Sequence, residues 1–340
     1  ETSVPAGYKS SAPGDKNNGY KITNTHTPET TSITVQKVWS DNNDQDGKRT
    51  DSLKVKLLKK VGSEEATLVQ EVTLTKDDNW TATVKNLPLN AAGKAITYSW
   101  TELEVSEGYK LTGNETKDNV TTLTNTHKTA ETSVTVKKAW DDAEDQDGKR
   151  PDSLTVKLMK QEEGKIAEEV KEVTLTKDNH WTATVDKLPL NAGGKAITYS
   201  WVEPNVPEGY KLTGNATEGK VTTLINMRTP ATTSVLVKKT WDDADDASSK
   251  RPSEIKVKLY ADHVMKEEHT MSADASGDWS YEFTDLPMYK EGKVGQKINY
   301  TVTEEKILGY VLTGSKYSTE DGKTVVQLTN KSIDFKVNKF

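Results

Sequence analysis

Apolar and polar residues alternate along this chain in short runs bounded by turn-forming clusters, the pattern of half-buried β-strands. ITVQKVW at 33–39, LKVKLL at 53–58, WTATV at 80–84, AITYSW at 95–100 and VTTLTN at 120–125 alternate or are rich in β-branched residues. Between them lie DNNDQDGKR at 41–49, KDDN at 76–79, LNAAGK at 89–94 and TGNETKDN at 112–119, which are expected as turns. About seven short strands per hundred residues indicates an all-β sandwich of the immunoglobulin-like class.

The same pattern then returns. Trp39, Trp140 and Trp241 recur at a step of 101 residues, as do Gly108-Tyr109 and Gly209-Tyr210, and SLKVKLLK at 52–59 matches SLTVKLMK at 153–160. Three full copies are expected at 29–128, 129–228 and 229–331. The piece 1–28 reads as the tail of a preceding copy, since VPAGYK at 4–9 matches VPEGYK at 206–211. The piece 332–340 reads as the start of a following one, so the chain is expected to be a section from the middle of an array. Links such as THKTAE at 126–131 are only a few residues long, which restricts hinge motion and favours an extended rod.

Strand parity exposes one anomaly. Residues of equal parity share a face, so Ile33, Val35 and Trp39 carry Lys37 inward with them. The same test selects Lys138 beside Val134, Val136 and Trp140, and Lys239 beside Val235, Val237 and Trp241. On a later strand Ile96, Tyr98 and Trp100 bring in Glu102, and the equivalents are Glu203 and Glu304. On the last strand Leu123, Leu224 and Leu328 share their face with Asn125, Asn226 and Asn330. The third copy differs widely elsewhere yet keeps all three residue types.

Three inward polar groups need a reason, because unpaired charges and amides are costly to desolvate. Burial lowers a lysine pKa and raises a carboxyl pKa, so the pair can sit as neutral amine and acid. A neutral amine is a nucleophile. A protonated glutamate can hydrogen-bond the asparagine amide oxygen, polarise its carbonyl and carry protons to the departing nitrogen. The product is a Lys–Asn amide with loss of ammonia, and proximity in the fold can supply about 7–11 kcal/mol of the barrier. The bland reading of each residue alone is a snorkelling lysine, an exposed strand-end glutamate and a turn asparagine.

VKKAWDD at 136–142, DQDGKRPDS at 145–153, KLPLN at 187–191, ITYSWVE at 197–203 and LINM at 224–227 resemble the collagen-adhesin B-type (Cna B) repeats of Gram-positive surface proteins. The resemblance covers essentially the whole chain. It implies tandem inverse immunoglobulin-like (prealbumin-like) β-sandwiches and an intramolecular Lys–Asn isopeptide bond promoted by Glu. It maps these onto Lys37-Asn125 with Glu102, Lys138-Asn226 with Glu203, and Lys239-Asn330 with Glu304, the nine residues that parity selects. Glu1 and Asn24 stand at the glutamate and asparagine positions of the opening piece, and Lys339 at a lysine position of the closing one. Tail-to-head complementation between chains is the remote use of these leftovers.

Composition narrows the functions. The 340 residues are 29% charged and 33% hydrophobic, with mean hydropathy -0.76, which suits several small cores better than one large one. Net charge is -6 with both signs interspersed, so no basic face for nucleic acid is expected. No apolar run approaches the roughly 20 residues of a membrane span, and with 0 cysteines no disulfide can staple the fold. The five histidines (26, 127, 180, 263 and 269) show no zinc or triad spacing. The acidic loops Asp41 to Asp46 and Asp141 to Asp147 end like calcium loops but lack the closing glutamate, so solvated turns are expected there. Trp39 and Trp100 face inward, which favours packing over a carbohydrate platform. The expectation is therefore a structural stalk of a cell-wall-anchored bacterial adhesin, extracellular, needing no cofactor, metal or partner to fold. It would touch neighbouring repeats of the same protein and reach any host matrix protein through other domains. The alternative is a multivalent module that itself grips a matrix protein. A turnover enzyme is not expected, since the Lys/Glu/Asn group is single-use.

Overall fold

The structure, a computed structural model, describes residues 3–11, 21–247, 249–320 and 322–333. Every regular element among them is a strand. By packing, the chain divides into two units. One comprises Glu1–Ser133, Met159–Glu169 and Val185–Ser200, and the other Val134–Leu158, Val170–Thr184 and Trp201–Phe340.

Over residues 8–126 of the first unit the strands are β1 (Tyr8–Ser10), β2 (Asn24–His26), β3 (Thr30–Ser40), β4 (Ser52–Val61), β5 (Thr67–Thr75), β6 (Thr81–Pro88), β7 (Asn90–Ala91), β8 (Lys94–Glu102), β9 (Lys110–Lys117) and β10 (Val120–Thr126). Two sheets face each other, in the orders β6-β3-β10-β9 and β5-β4-β8-β7. Their inner faces bury Ile33, Val35, Leu53, Val55, Leu57, Leu74, Trp80, Leu87, Trp100 and Leu123. Each fully buried side chain of this size contributes roughly 1.5–3 kcal/mol. The alternation along β3 is thus the alternation between core and water.

The first and last strands of the copy, β3 and β10, are parallel neighbours, with Leu123 opposite Lys37 and Asn125 opposite Trp39. The second unit repeats this. Thr135–Asp141 runs parallel to Val221–Met227, and Val235–Asp242 to Thr324–Lys331. In the third copy the sheets pack around Val235, Val237, Val257, Leu259, Phe283, Val326 and Leu328. All-β tandem sandwiches are what the periodicity predicts.

One turn expectation fails. TGNETKDN at 112–119 is mostly strand β9, and only Asp118 and Asn119, at φ 49° and 64°, make the turn. Its Thr, Asn and Glu residues lie on an exposed edge, where hydroxyl pairs such as Thr112–Thr126 at 2.7 Å and Thr116–Thr121 at 2.9 Å hold it to β10. Polar composition there records an edge strand rather than a loop.

Candidate functional site

Each predicted triad comes together. Lys37 Nζ lies 2.8 Å from Glu102 Oε1, the two side chains being 0% and 2% exposed, and it also donates to the carbonyl of Leu123 at 3.1 Å. Asn125 Nδ2 donates to Glu102 Oε2 at 2.9 Å. Lys138 lies 3.1 Å from Glu203, and Asn226 donates to Glu203 at 2.6 Å. Lys239 lies 2.7 Å from Glu304, to which Asn330 also donates. The backbone helps to fix the lysine. Trp80 sits in the left-handed region at φ 56°, and its carbonyl accepts the Lys37 N–H at 2.8 Å, as that of Trp181 accepts the Lys138 N–H.

Burial pushes each of the three lysines below its ordinary pKa, with the adjacent glutamate pulling partly back through hydrogen bond and charge. Each amine therefore gives up its proton more readily than a surface lysine. The asparagine amide is turned so that its NH₂ faces the carboxylate. A glutamate hydrogen bond to the amide oxygen, the arrangement expected from the sequence, requires a protonated glutamate and the flipped amide. The oxygens of Asn125, Asn226 and Asn330 are buried without a hydrogen-bond donor among the described residues.

A second cluster surrounds each triad's tryptophan and was not foreseen. Asp41 is 3% exposed and accepts from Arg49 Nη2 at 2.6 Å and Nε at 3.1 Å, and from Tyr109 at 2.7 Å. Burial alone would raise the Asp41 pKa, but these bonds hold it below the usual carboxylate value. Asp142 with Arg150 and Tyr210, and Asp243 with Arg251 and Tyr310, repeat the arrangement. For Asp243, the Arg251 bond leads in lowering its pKa to about 2. Trp39 packs edge-on against both Trp80 and Tyr109, with Lys37 Nζ 4.8 Å from its centroid. The loops are turns as expected, but Asp41, Asp142 and Asp243 in them are not solvated, being buried on arginine, tyrosine and backbone donors, whereas Asp141 and Glu144 stay exposed.

The end of the same loop reaches the next copy. Asp46 accepts from His127 Nε2 at 2.9 Å, from the Ala130 N–H at 2.8 Å and from Asn191 Nδ2 at 3.0 Å. The Gly194 N–H donates to the Gln45 carbonyl at 3.1 Å. A Cβ on Gly47 would lie 2.6 Å from Gly194 Cα. The second joint has Asp147 accepting from Arg228 Nε at 3.2 Å and from the Ala231 N–H at 3.1 Å. There the Gly295 N–H donates to the Gln146 carbonyl. Each joint lies within one packing unit. The signal for it was present, because Gln-Asp-Gly at 45–47 and 146–148 recurs while copy three has Ala247, Ser248 and Ser249. Of the leftover residues, Glu1 and Lys339 lie outside the described residues, and Asn24 ends up on β2.

The family model of the Cna protein B-type domain matches residues 33–126, 134–227 and 235–331. The chain is 38% identical over 311 residues to a collagen adhesin of Staphylococcus aureus, an alignment covering 91% of this chain and 24% of that protein. It therefore spans about a quarter of the curated relative's length. Among solved structures, two B repeat units of the S. aureus collagen binding protein match at 33% identity, covering 96% of this chain and 81% of that one, with a TM-score of 0.52. A single B repeat unit of the same protein matches at 34% identity over 59% of this chain and all of that one, with a TM-score of 0.27.

Proposed function

From the premise that this chain belongs to the Cna protein B-type domain family, we propose that it is a stalk section of a cell-wall-anchored, extracellular bacterial adhesin, in which every repeat closes a Lys–Asn isopeptide bond. The reading is carried by three buried Lys–Glu–Asn groups with side chains sealed from water. In each, the neutral lysine Nζ attacks the asparagine Cγ. The Nζ–Cγ bond forms, the Cγ–Nδ2 bond breaks, and ammonia leaves. The glutamate gives a proton to the departing nitrogen and takes one back from the lysine nitrogen, so it ends as it began. The reaction runs once per site and gives no turnover.

The consequence is mechanical. Lysine and asparagine stand on the parallel first and last strands, so a pull entering at one end of a repeat leaves at the other through the covalent bridge. The strands between carry little load. Closing the 88-residue loop from Lys37 to Asn125 contributes about 4–5 kcal/mol by the loop-entropy reasoning used for disulfides. Intact mass tests the chemistry. Three missing ammonias, about 51 Da below the formula mass, are expected, and the formula mass itself would sink the crosslinks. Glu102→Ala, Glu203→Ala and Glu304→Ala should each restore one ammonia and lower Tm.

A further inference from the structure

We propose that His26, the backbone N–H of Glu29 and Asn90 form a receiving face for the carboxylate of a Gln-Asp-Gly loop from a further copy of this repeat. The inference extends the tandem-stalk reading above and is independent of whether the crosslinks close.

These residues stand 101 positions before His127, Ala130 and Asn191, the three donors that hold Asp46. The frame that presents them is the same. Leu89 N–H donates to the Glu29 carbonyl at 3.0 Å, as Leu190 N–H does to the Ala130 carbonyl. Tyr8 packs on His26 at 5.1 Å and a 39° tilt, as Tyr109 packs on His127 at 5.3 Å and 43°. Gly93 holds φ 78° and Gly194 φ 79°. What differs is cover. His26, Glu29 and Asn90 are exposed, whereas His127, Ala130 and Asn191 are half-buried under the loop. A Cβ on Gly93 would meet nothing within 4 Å, while one on Gly194 would lie 3.1 Å from Gly47 Cα.

The chemistry selects the occupant. Two neutral N–H donors and an imidazole converge on one anionic oxygen pair. The flat glycine contact admits a loop that itself carries glycine after the aspartate. Both the Asp46 and Asp147 loops meet that description, and the third copy's loop, with Ser248 and Ser249 in place of Asp-Gly, does not. The joint therefore has a direction, in which a Gln-Asp-Gly loop enters the hairpin of the copy that follows it.

Adding residues 29–101 in front of Glu1 continues the 101-residue register and supplies such a loop. Hydrogen exchange of the Glu29 amide should slow by about tenfold or more, the Asn90 side-chain NH₂ resonances should shift, and asparagine in place of the added loop's aspartate should reverse both. A second extended chain, carrying residues 130–202 instead, guards against one addition that folds poorly. Unchanged Glu29 exchange and Asn90 resonances in both chains would overturn the proposal. Intact mass on the same samples reports the crosslinks separately.

Discussion

At the first joint Asp46 meets His127 and at the second Asp147 meets Arg228, each partner displaced by 101 residues between the two. The loops are alike, and both aspartates also take the N–H of a linker alanine, Ala130 or Ala231. The cation differs. Arginine keeps its charge at any physiological pH and lies over Tyr210 at 5.8 Å, whereas histidine titrates in that range. The comparison separates what closes a joint, an aspartate on backbone and side-chain donors, from what makes its closure depend on conditions.

The largest test is steric. Gly47→Ala places a Cβ 2.6 Å from the Gly194 backbone at a φ of 62°, and Gly148→Ala places one 3.2 Å from Gly295 at 64°. Both positions favour glycine, but the first contact forces backbone apart while the second asks it to give by only a few tenths of an ångström. Gly47→Ala should therefore weaken its joint by about 1–3 kcal/mol and Gly148→Ala by less. The readout is exchange of the Ala130 amide in one variant and the Ala231 amide in the other. Equal effects would show that the glycine–glycine approach does not matter.

Asp46→Asn comes next. It removes the charge that three donors share and should cost about 1–3 kcal/mol at the first joint, again read at the Ala130 amide. Asp147→Asn should cost the second joint less, because no equivalent of the Asn191 bond is present among the described residues and Arg228 is 20% exposed and can turn to water. A larger loss at the second joint would contradict this.

The triads were legible because parity is a strict rule. A lysine two residues from a core tryptophan on a strand has to point inward, and Lys37, Lys138 and Lys239 do, 0% exposed in all three. Strand β9 was not legible, since an edge strand that pairs on one side needs no apolar face and Thr-Gly-Asn-Glu there imitates a loop. Asp41 and Asp46 look alike in a run of acids, and only tertiary contacts give one to Arg49 and Tyr109 and the other to the next copy. The copies themselves distinguish the two, because the Asp41 position is aspartate in all three while Gln-Asp-Gly is kept or lost as a block.

Acidity should separate the joints. Hydrogen bonds to the Gly108 carbonyl and to Asp46 raise the His127 pKa above its ordinary 6.5, since only the charged ring donates to both at once. A raised folded value means that the stabilisation is complete below the ordinary value and is lost as pH rises through the raised one. Ala130 protection, corrected for intrinsic exchange, should fall across that window while Ala231 protection stays level. Parallel profiles would remove the histidine from the account.

The smallest effect, and the sharpest, is the exchange of the two cations. His127→Arg should leave the first joint closed, because arginine already serves at the second in the same position, with its backbone N–H on the Asp141 carbonyl as that of His127 is on the Ser40 carbonyl. What should disappear is the pH slope at Ala130. Arg228→His should create one at Ala231. If the slope stays with the joint rather than travelling with the histidine, some other group titrates there. The nearest is Asp46 itself, and the bonds from Asn191, His127 and Ala130 outweigh its burial and hold its pKa below the carboxylate norm. A slope from that group would lie at acid pH and run the opposite way, with protection lost as pH falls, so the sign of the change identifies the group.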